Sequence, residues 1–212
     1  MCSSDLNQNL LSFKATGQIC SKFKYDRLLI PGEYIRLGAH DWKILAAPGH
    51  AVHAVMLYQE ESQILISADA LWEEGFGVVF PELVGESGFT EAAETIDLIE
   101  TLKIRLIIPG HGSPFTDVKK AIDTARSRLD YLSADIARNA RHAAKVLLKF
   151  KLLEWQTKEI HLVNAWILET PLFTSIAKQL HLTLEELVLW LPPALCKAGG
   201  AKFDQERLVN VG

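Results

Sequence analysis

The chain has 212 residues, of which 49% are hydrophobic and 23% charged, and its formal net charge is −4. This length and hydrophobic fraction predict one large packed domain, or one domain with a small appendage. The slightly acidic balance argues against a dedicated nucleic-acid-binding protein, and three cysteines without a Cys-x-x-Cys pair argue against a disulfide framework or a cysteine zinc site.

Targeting signals are absent from the sequence pattern. No apolar run reaches the roughly 18 residues that a bilayer-spanning helix needs. No basic segment followed by an apolar stretch marks a signal peptide near the N-terminus. We therefore expect a cytoplasmic protein in a reducing compartment, without a membrane partner.

The first six residues, Met1–Leu6, are polar and lead into no periodic segment. The end of a sequencing adapter, read in frame, would encode the same six residues. We therefore expect this start to be non-native and the native protein to begin upstream. An ordinary disordered terminus is the alternative.

Residues 33–68 predict a series of strands. Residues 33–37 alternate polar and apolar, and residues 42–46 return after a turn, so 33–46 is typical of a hairpin. Residues 54–58 and 64–68 are apolar runs on either side of a polar turn, and they predict two buried strands.

The middle of the chain predicts a loop, a helix and a strand. Residues 70–89 are irregular and rich in Gly, Phe and Trp, which favours a long functional loop. Thr90 is the expected N-cap of the next helix, and residues 103–108 predict another buried strand. This order is typical of an α/β domain whose strands are covered by helices.

The last part of the chain changes character near residue 150. A long helix is expected to begin at Asp117. Three short helices follow at 158–168, 171–180 and 184–191, the last capped by Thr183 and ended by Pro192-Pro193, and then a hairpin within 197–212. This outline is winged-helix-like. We expect three segments: a non-native or disordered start at 1–6, an α/β domain at 7–150 and a mostly helical module at 151–212.

Three predicted strands each end in a good metal ligand. Leu45-Ala46 lead into Pro48-Gly49-His50, residues 64–68 lead into Asp69, and residues 106–108 lead into Pro109-Gly110-His111-Gly112. Zinc, iron and manganese accept imidazole nitrogen and carboxylate oxygen, and function in open α/β architectures lies at such loops. Two Pro-Gly-His turns with an aspartate between them favour a metal site over the alternative of ordinary loop residues.

These motifs, with Ser67-Ala68-Asp69, resemble the later motifs of the metallo-β-lactamase-fold hydrolases over about residues 25–150. The resemblance implies the C-terminal half of an αββα sandwich followed by a small helical module. It also implies two divalent metal ions, zinc or else iron or manganese. In that pattern His50 binds one metal and His111 the other, while Asp69 bridges both and is the catalytic residue of a site whose bridging hydroxide is the nucleophile.

The first motif of that family, His-x-His-x-Asp-His, is absent from this sequence, and no histidine precedes His40. The motif would supply two ligands to each metal, and catalytic zinc usually has three protein ligands. We therefore expect the metals and the activity to belong to a full-length parent, and this fragment alone to be inactive and to hold no metal firmly. His53, three residues after His50, is expected to be a rim residue.

The expected substrate is a small molecule with an ester, thioester, lactone or phosphodiester bond. Trp72, Phe76 and Phe80 either line its pocket or belong to the core, and Glu82 is expected to contact it.

A second hypothesis is a non-catalytic binding or regulatory module that acts through the helical tail. Residues 184–191 carry Glu185 and Glu186 and no Lys or Arg, which disfavours nucleic acid and favours a structural or dimerisation role. A homodimer is therefore expected as a partner. A third hypothesis is an unstable half-sandwich that associates through exposed apolar residues, namely Val55, Leu57, Ile64, Ile66 and Ile107.

Overall fold

The computed structural model describes residues 13–17 and 24–212. The predicted non-native start, Met1–Leu6, lies outside these residues. Internal contacts divide the chain between Asn139 and Ala140 into a sheet unit, residues 27–139, and a helical unit, which combines 140–212 with the described residues before 27. The boundary near residue 150 and the limits of the three predicted segments stay predictions.

The sheet unit contains five strands and two helices, and the helix that begins at Ile136 crosses into the helical unit. Its elements are β1 (Tyr34–Leu37), β2 (His40–Ala46), β3 (Val55–Gln59), β4 (Ile64–Ala68), a 3-10 turn (Pro81–Val84), α1 (Phe89–Thr101), β5 (Leu106–Pro109) and α2 (Val118–Ser133). The predicted strands are therefore present, with β4 at its predicted bounds and the others shifted by at most three residues. The long helix predicted from Asp117 ends at Ser133, and the next helix starts at Ile136.

The strand order is β1-β2-β3-β4-β5, and every pair is antiparallel except β4 and β5. Helix α1 forms the crossover between these two parallel strands, as parallel pairing requires. Strands β2, β4 and β5 consequently run in the same direction. Their C-terminal ends lie at one edge of the sheet, and the three predicted ligands follow those ends.

One face of the sheet packs against α1 and α2. Its inward side chains include Leu45, Met56, Leu65 and Ile107, each at most 9% exposed. On the opposite face Val55, Leu57, Ile64 and Ile66 are half-buried. The prediction that groups Ile107 with this second set is wrong, because Ile107 pairs with Leu65 and shares its face.

The segment from 70 to 89 is more deeply packed than the sequence predicts. Val79 and Leu83 are at most 1% exposed. The prediction of Thr90 as N-cap is wrong, because α1 begins at Phe89 with Gly88 in the capping position. The carboxylate of Glu82 accepts hydrogen bonds from the backbone N–H groups of Gly88 and Phe89, each at 2.9 Å. A side chain outside the helix therefore provides acceptors for N–H groups that have no partner within it. By contrast, the caps predicted at Asp117 and Thr183 are confirmed.

The helical unit consists of a helical core with a small sheet. Its elements are α3 (Ile136–Trp155), β6 (Thr157–Glu159), α4 (Ile160–Glu169), α5 (Pro171–Gln179), α6 (Leu184–Lys197), β7 (Ala201–Asp204) and β8 (Arg207–Asn210), and a short 3-10 helix, Phe13–Thr16, belongs to the same unit. The sheet order is β6-β8-β7, so the predicted hairpin is joined by a strand, β6, that the pattern does not indicate. The predicted end of α6 at Pro192-Pro193 is wrong, since the helix continues to Lys197. Among the described residues, no helix combines the length and the apolarity needed to cross a membrane.

Candidate metal centre

The structure brings His50, Asp69 and His111 together at the sheet edge where β2, β4 and β5 end. The Nε2 atom of His50 lies 3.5 Å from Oδ2 of Asp69, and Nε2 of His111 lies 3.7 Å from Oδ1. Each imidazole therefore faces a different oxygen of one carboxylate. A carboxylate flanked in this way has the donor arrangement of a group that bridges two cations.

The first histidine loop is anchored on α1. The hydroxyl of Thr95, a residue 4% exposed, donates to the carbonyl of Pro48 at 2.8 Å. Gly49 has a φ of +130°, and a Cβ at this position would come within 2.8 Å of the Ala92 backbone. Only glycine fits this close approach of loop and helix.

A backbone carbonyl orients the ring of His50. Its Nδ1 lies 2.7 Å from the carbonyl oxygen of Val78, so Nδ1 carries the proton and donates it there. In the neutral imidazole this leaves the lone pair on Nε2, the nitrogen that faces Asp69. Such a hydrogen bond on the far nitrogen is the usual means by which proteins fix the tautomer of a metal-binding histidine.

The segment that supplies this carbonyl is itself held in place. Asn139, fully buried, donates from Nδ2 to the carbonyl of the next residue, Val79, at 3.0 Å. Gly77 packs under the site, where a Cβ would come within 2.6 Å of His50 Nδ1 and 2.9 Å of Asp69 Cβ. The sequence signal for this role is the pair Gly75 and Gly77. The richness of residues 70–89 in glycine predicts a loop, but it does not predict this contact with His50 and Asp69.

The second histidine loop follows β5 in the chain and is held against the end of the neighbouring strand β4. Ala68 has a φ of +48°, which is uncommon for a residue with a side chain, and the ladder with β5 shifts register beside it. Its carbonyl accepts from the N–H of Gly110 at 2.7 Å. A Cβ on Gly110 would come within 2.8 Å of Asp69 Oδ1, so this glycine lets the loop approach the carboxylate.

Aromatic side chains border the centre. The indole Nε1 of Trp72 lies 3.2 Å from both Asp69 Oδ1 and the carbonyl of Ala68, and the ring meets His111 edge to face at 5.1 Å. Phe80 contacts the ring of His50 in the same manner at 5.2 Å. Each ring therefore packs against one of the two candidate histidine ligands.

The other predicted substrate contacts lie elsewhere. Phe76 is 4% exposed and belongs to the core, with the guanidinium of Arg128 5.8 Å from the centre of its ring. Glu82 holds the start of α1. His53 is exposed. The substrate roles of Trp72, Phe76 and Glu82 stay predictions. For Phe76, the sequence left a pocket position and a core position open, and the structure places it in the core.

The donors fit a metal centre in type and orientation but not in number. Each imidazole Nε2 faces one carboxylate oxygen, so a cation held between them would have two protein donors, whereas a catalytic zinc usually has three. Among residues 13–17 and 24–212, no group of three or more His, Cys, Asp and Glu residues could hold one metal ion. The described residues alone therefore do not complete a metal site of this kind.

A sequence profile described as the metallo-beta-lactamase superfamily matches residues 6–111, which is half of the chain. The chain belongs to this superfamily. Members of the superfamily bind divalent metal ions, and the match includes all three candidate ligands. No curated protein matches the chain.

Several solved structures are also similar to this chain. A metallo-beta-lactamase family protein from Thermus thermophilus is 19% identical, with 88% of this chain and 55% of that chain covered and a TM-score of 0.45. A beta-lactamase domain protein from Burkholderia ambifaria is 19% identical, with 90% and 54% covered and a TM-score of 0.47. TTHA1623, in a di-iron-bound form, is 22% identical, with 50% of each chain covered and a TM-score of 0.40. The metallo-beta-lactamase superfamily member described here therefore spans about half the length of these structures.

Proposed function

We propose that this chain carries part of the active centre of a metal-dependent hydrolase. His50 and His111 would each bind one of two divalent metals, and Asp69 would bridge them. The observation that carries the proposal is the pair of Nε2 atoms at 3.5 and 3.7 Å from the two different oxygens of Asp69. Superfamily membership supports a metallo-hydrolase type of function.

Activity requires more metal ligands than the described residues provide. Because the described residues supply only two donors to each cation, further ligands must come from outside them. We propose that the missing donors belong to a full-length parent and that this chain alone is inactive. The proposed substrates are esters, thioesters, lactones or phosphodiesters, with Trp72 and Phe80 placed to contact them.

Metal binding by the purified chain tests the proposal. We expect weak, substoichiometric zinc, iron or manganese after dialysis, measured by elemental analysis, and weak heats in titration calorimetry. Asp69→Ala should remove the binding, because it deletes the oxygens that both histidines face. The matched control is Asp41→Ala, at an exposed aspartate paired with Arg36 on β1.

Two results would contradict the proposal in different ways. Firm binding of two metals per chain would refute the claim that donors are missing. Unchanged weak binding in Asp69→Ala would refute the bridging role. In a parent with the missing donors restored, Asp69→Ala should abolish hydrolysis, while Asp41→Ala should leave it intact.

A second function, a binding or regulatory role for the helical unit, is favoured by a specific observation. The order β6, α4, α5, α6, β7, β8 supports the proposed winged-helix-like module, a type of unit used for binding. Glu185 and Glu186 on the exposed side of α6 favour a protein partner over nucleic acid. If the unit is regulatory, its removal from an active parent should change the response of hydrolysis to a partner. If it is structural, removal should lower stability only, as measured by thermal unfolding.

A further inference from the structure

The exposed side of α6 carries a narrow stripe with an unusual composition. Leu189 is 74% exposed, more than any other large apolar side chain among the described residues. Glu186, Pro193 and Lys197 are exposed on the same helix. These four residues, at spacings of three, four and four, lie on one face of the helix and are called the α6 stripe.

The stripe is not a by-product of a loosely packed helix. The opposite side of α6 is anchored, with Leu187 and Leu191 fully buried and Leu195 at 3% exposure. The helix start is fixed by a capping box between Thr183 and Glu186. Leu189 is therefore presented to solvent on a rigid support.

The charges of the stripe are arranged about its apolar centre. Glu186 and Lys197 are 11 residues apart, about three helical turns and about 16 Å, so they lie almost on one line along the helix. Leu189 is three residues from the acidic end, and Pro193 is four residues from the basic end. The stripe thus has opposite charges at its two ends and apolar residues between them.

We propose that the α6 stripe is the contact between two copies of this chain, packed antiparallel about a two-fold axis. In such an isologous interface each contact occurs twice. With the axis near Leu191 and Pro192, Glu186 faces Lys197 of the partner subunit, and Leu189 faces Pro193 of the partner subunit. A parallel arrangement would instead place like charges together at both ends.

The surroundings of the stripe fit this occupant. Strand β7 packs against α6, and the Phe203 side chain on this strand is 47% exposed, so a second apolar group lies on the element next to the stripe. A nucleic-acid contact by this helix would need cations where the stripe and its flank carry Glu185 and Glu186. A second copy satisfies both the apolar and the charged groups.

Sedimentation analysis of the full chain, in the presence of a reductant, tests the proposal. We expect a concentration-dependent monomer–dimer equilibrium. Leu189→Glu should weaken dimerisation by at least about tenfold, because it places a charge at the centre of the contact. Leu168→Glu is the matched control, since Leu168 is also an exposed leucine, on α4 at 46% exposure, and it should leave the equilibrium unchanged.

A charge variant distinguishes the orientation of the two helices. Lys197→Glu should weaken the antiparallel dimer by about fivefold, because each Glu186 would then face a carboxylate. In a parallel dimer, like charges would face each other before and after the change, so the affinity would stay constant. Lys178→Glu, an exposed lysine on α5, is the control of equal charge change.

Each remaining outcome overturns the proposal. A chain that stays monomeric at every concentration has no such contact. A dimer that persists in Leu189→Glu and dissociates in Ile66→Glu forms through the sheet face instead. Binding of duplex DNA by a monomer, lost in Leu189→Glu, would identify a nucleic-acid surface. Circular dichroism of each variant confirms that α6 is intact, and Lys197→Glu retains the test should Leu189→Glu fail to fold.

Discussion

Pro48-Gly49-His50 and Pro109-Gly110-His111 have the same sequence but are held by different parts of the fold. The first loop is fixed by α1, by Thr95 and by the carbonyl that orients His50, and the His50 side chain is 25% exposed. The second loop rests on the end of β4 beside Trp72, and the His111 side chain is 50% exposed. A shared motif thus predicts a shared donor, while the surrounding elements decide how firmly each donor is held.

The largest expected effect is that of a methyl group in the first loop. Gly49→Ala should lower the free energy of unfolding by about 3 kcal/mol, because it adds a strained positive φ to a clash with the Ala92 backbone. Urea denaturation measures the change. Gly112→Ala is the control, since Gly112 also has a positive φ but no atom within 4 Å of the added Cβ, and it should cost only about 1 kcal/mol. Equal losses in both variants would show that packing against α1 contributes nothing.

The anchor of the first loop should come next in size. Thr95→Val removes the hydroxyl and leaves the Pro48 carbonyl without that donor, at a cost of about 1.5 kcal/mol. Thr101→Val, which loses an exposed hydroxyl bonded to Leu98, should change stability by less than about 0.5 kcal/mol. Thermal unfolding of both variants gives the comparison. A smaller loss for Thr95→Val than for Thr101→Val would contradict the anchoring role.

The second loop is held by Trp72, in the way that Thr95 holds the first loop. Trp72→Phe removes the indole N–H near Asp69 and should cost about 1 kcal/mol of stability and further weaken metal binding. Trp42→Phe is an informative control, because Trp42 Nε1 is buried and has no hydrogen-bond partner among the described residues. That variant should be neutral or stabilising. A loss of stability in Trp42→Phe equal to that in Trp72→Phe would assign both effects to ring packing.

The smallest expected effect is a pH dependence on the side of the second loop. The hydroxyl of Tyr58 donates to the carbonyl of Lys103, in the segment that leads into β5. Burial, and then the charge of Glu60, raise the pKa of Tyr58 above its usual value near 10. Because the folded state favours the neutral phenol, this stabilisation is present below pH 10 and is lost as the pH rises beyond that value.

A phenylalanine variant isolates this titration. Tyr58→Phe should flatten the fall in stability above pH 10, whereas Tyr34→Phe, at a residue 57% exposed, should not. Stability curves collected at several alkaline pH values provide the measurement. An unchanged fall in Tyr58→Phe would assign the pH dependence to other groups.

The sequence predicts most of the strands, and it indicates the three candidate ligands at their ends, because both inferences depend on local patterns. Alternation of apolar residues determines the strands, and the motifs at their ends identify His50, Asp69 and His111. The carbonyl of Val78 and the side chain of Asn139 were not predicted. Their roles depend on contacts between residues 28 and 60 positions apart, and a backbone carbonyl has no sequence signature.

The errors have the same physical origin. Thr90 is a good N-cap by type, but the side chain of Glu82, seven residues before Phe89, satisfies the helix start first. Pro192 and Pro193 would break an isolated helix at a cost of about 3 kcal/mol each. Burial of Leu191 and Leu195 on either side of them contributes about 1.5–3 kcal/mol each in the opposite direction. Tertiary contacts therefore override the local preference in both places.

The parallel pairing of β4 with β5 has a bearing on the order in which the centre assembles. Strands β2, β3 and β4 are antiparallel neighbours joined by residues 47–54 and 60–63, so His50 and Asp69 can be brought to one edge by contacts that are local in sequence. His111 arrives only when the chain has closed the much longer crossover through α1. The loop that carries His111 should therefore form last and be the first to separate during partial unfolding. Amide hydrogen exchange would then be faster at Ile108 than at Leu57.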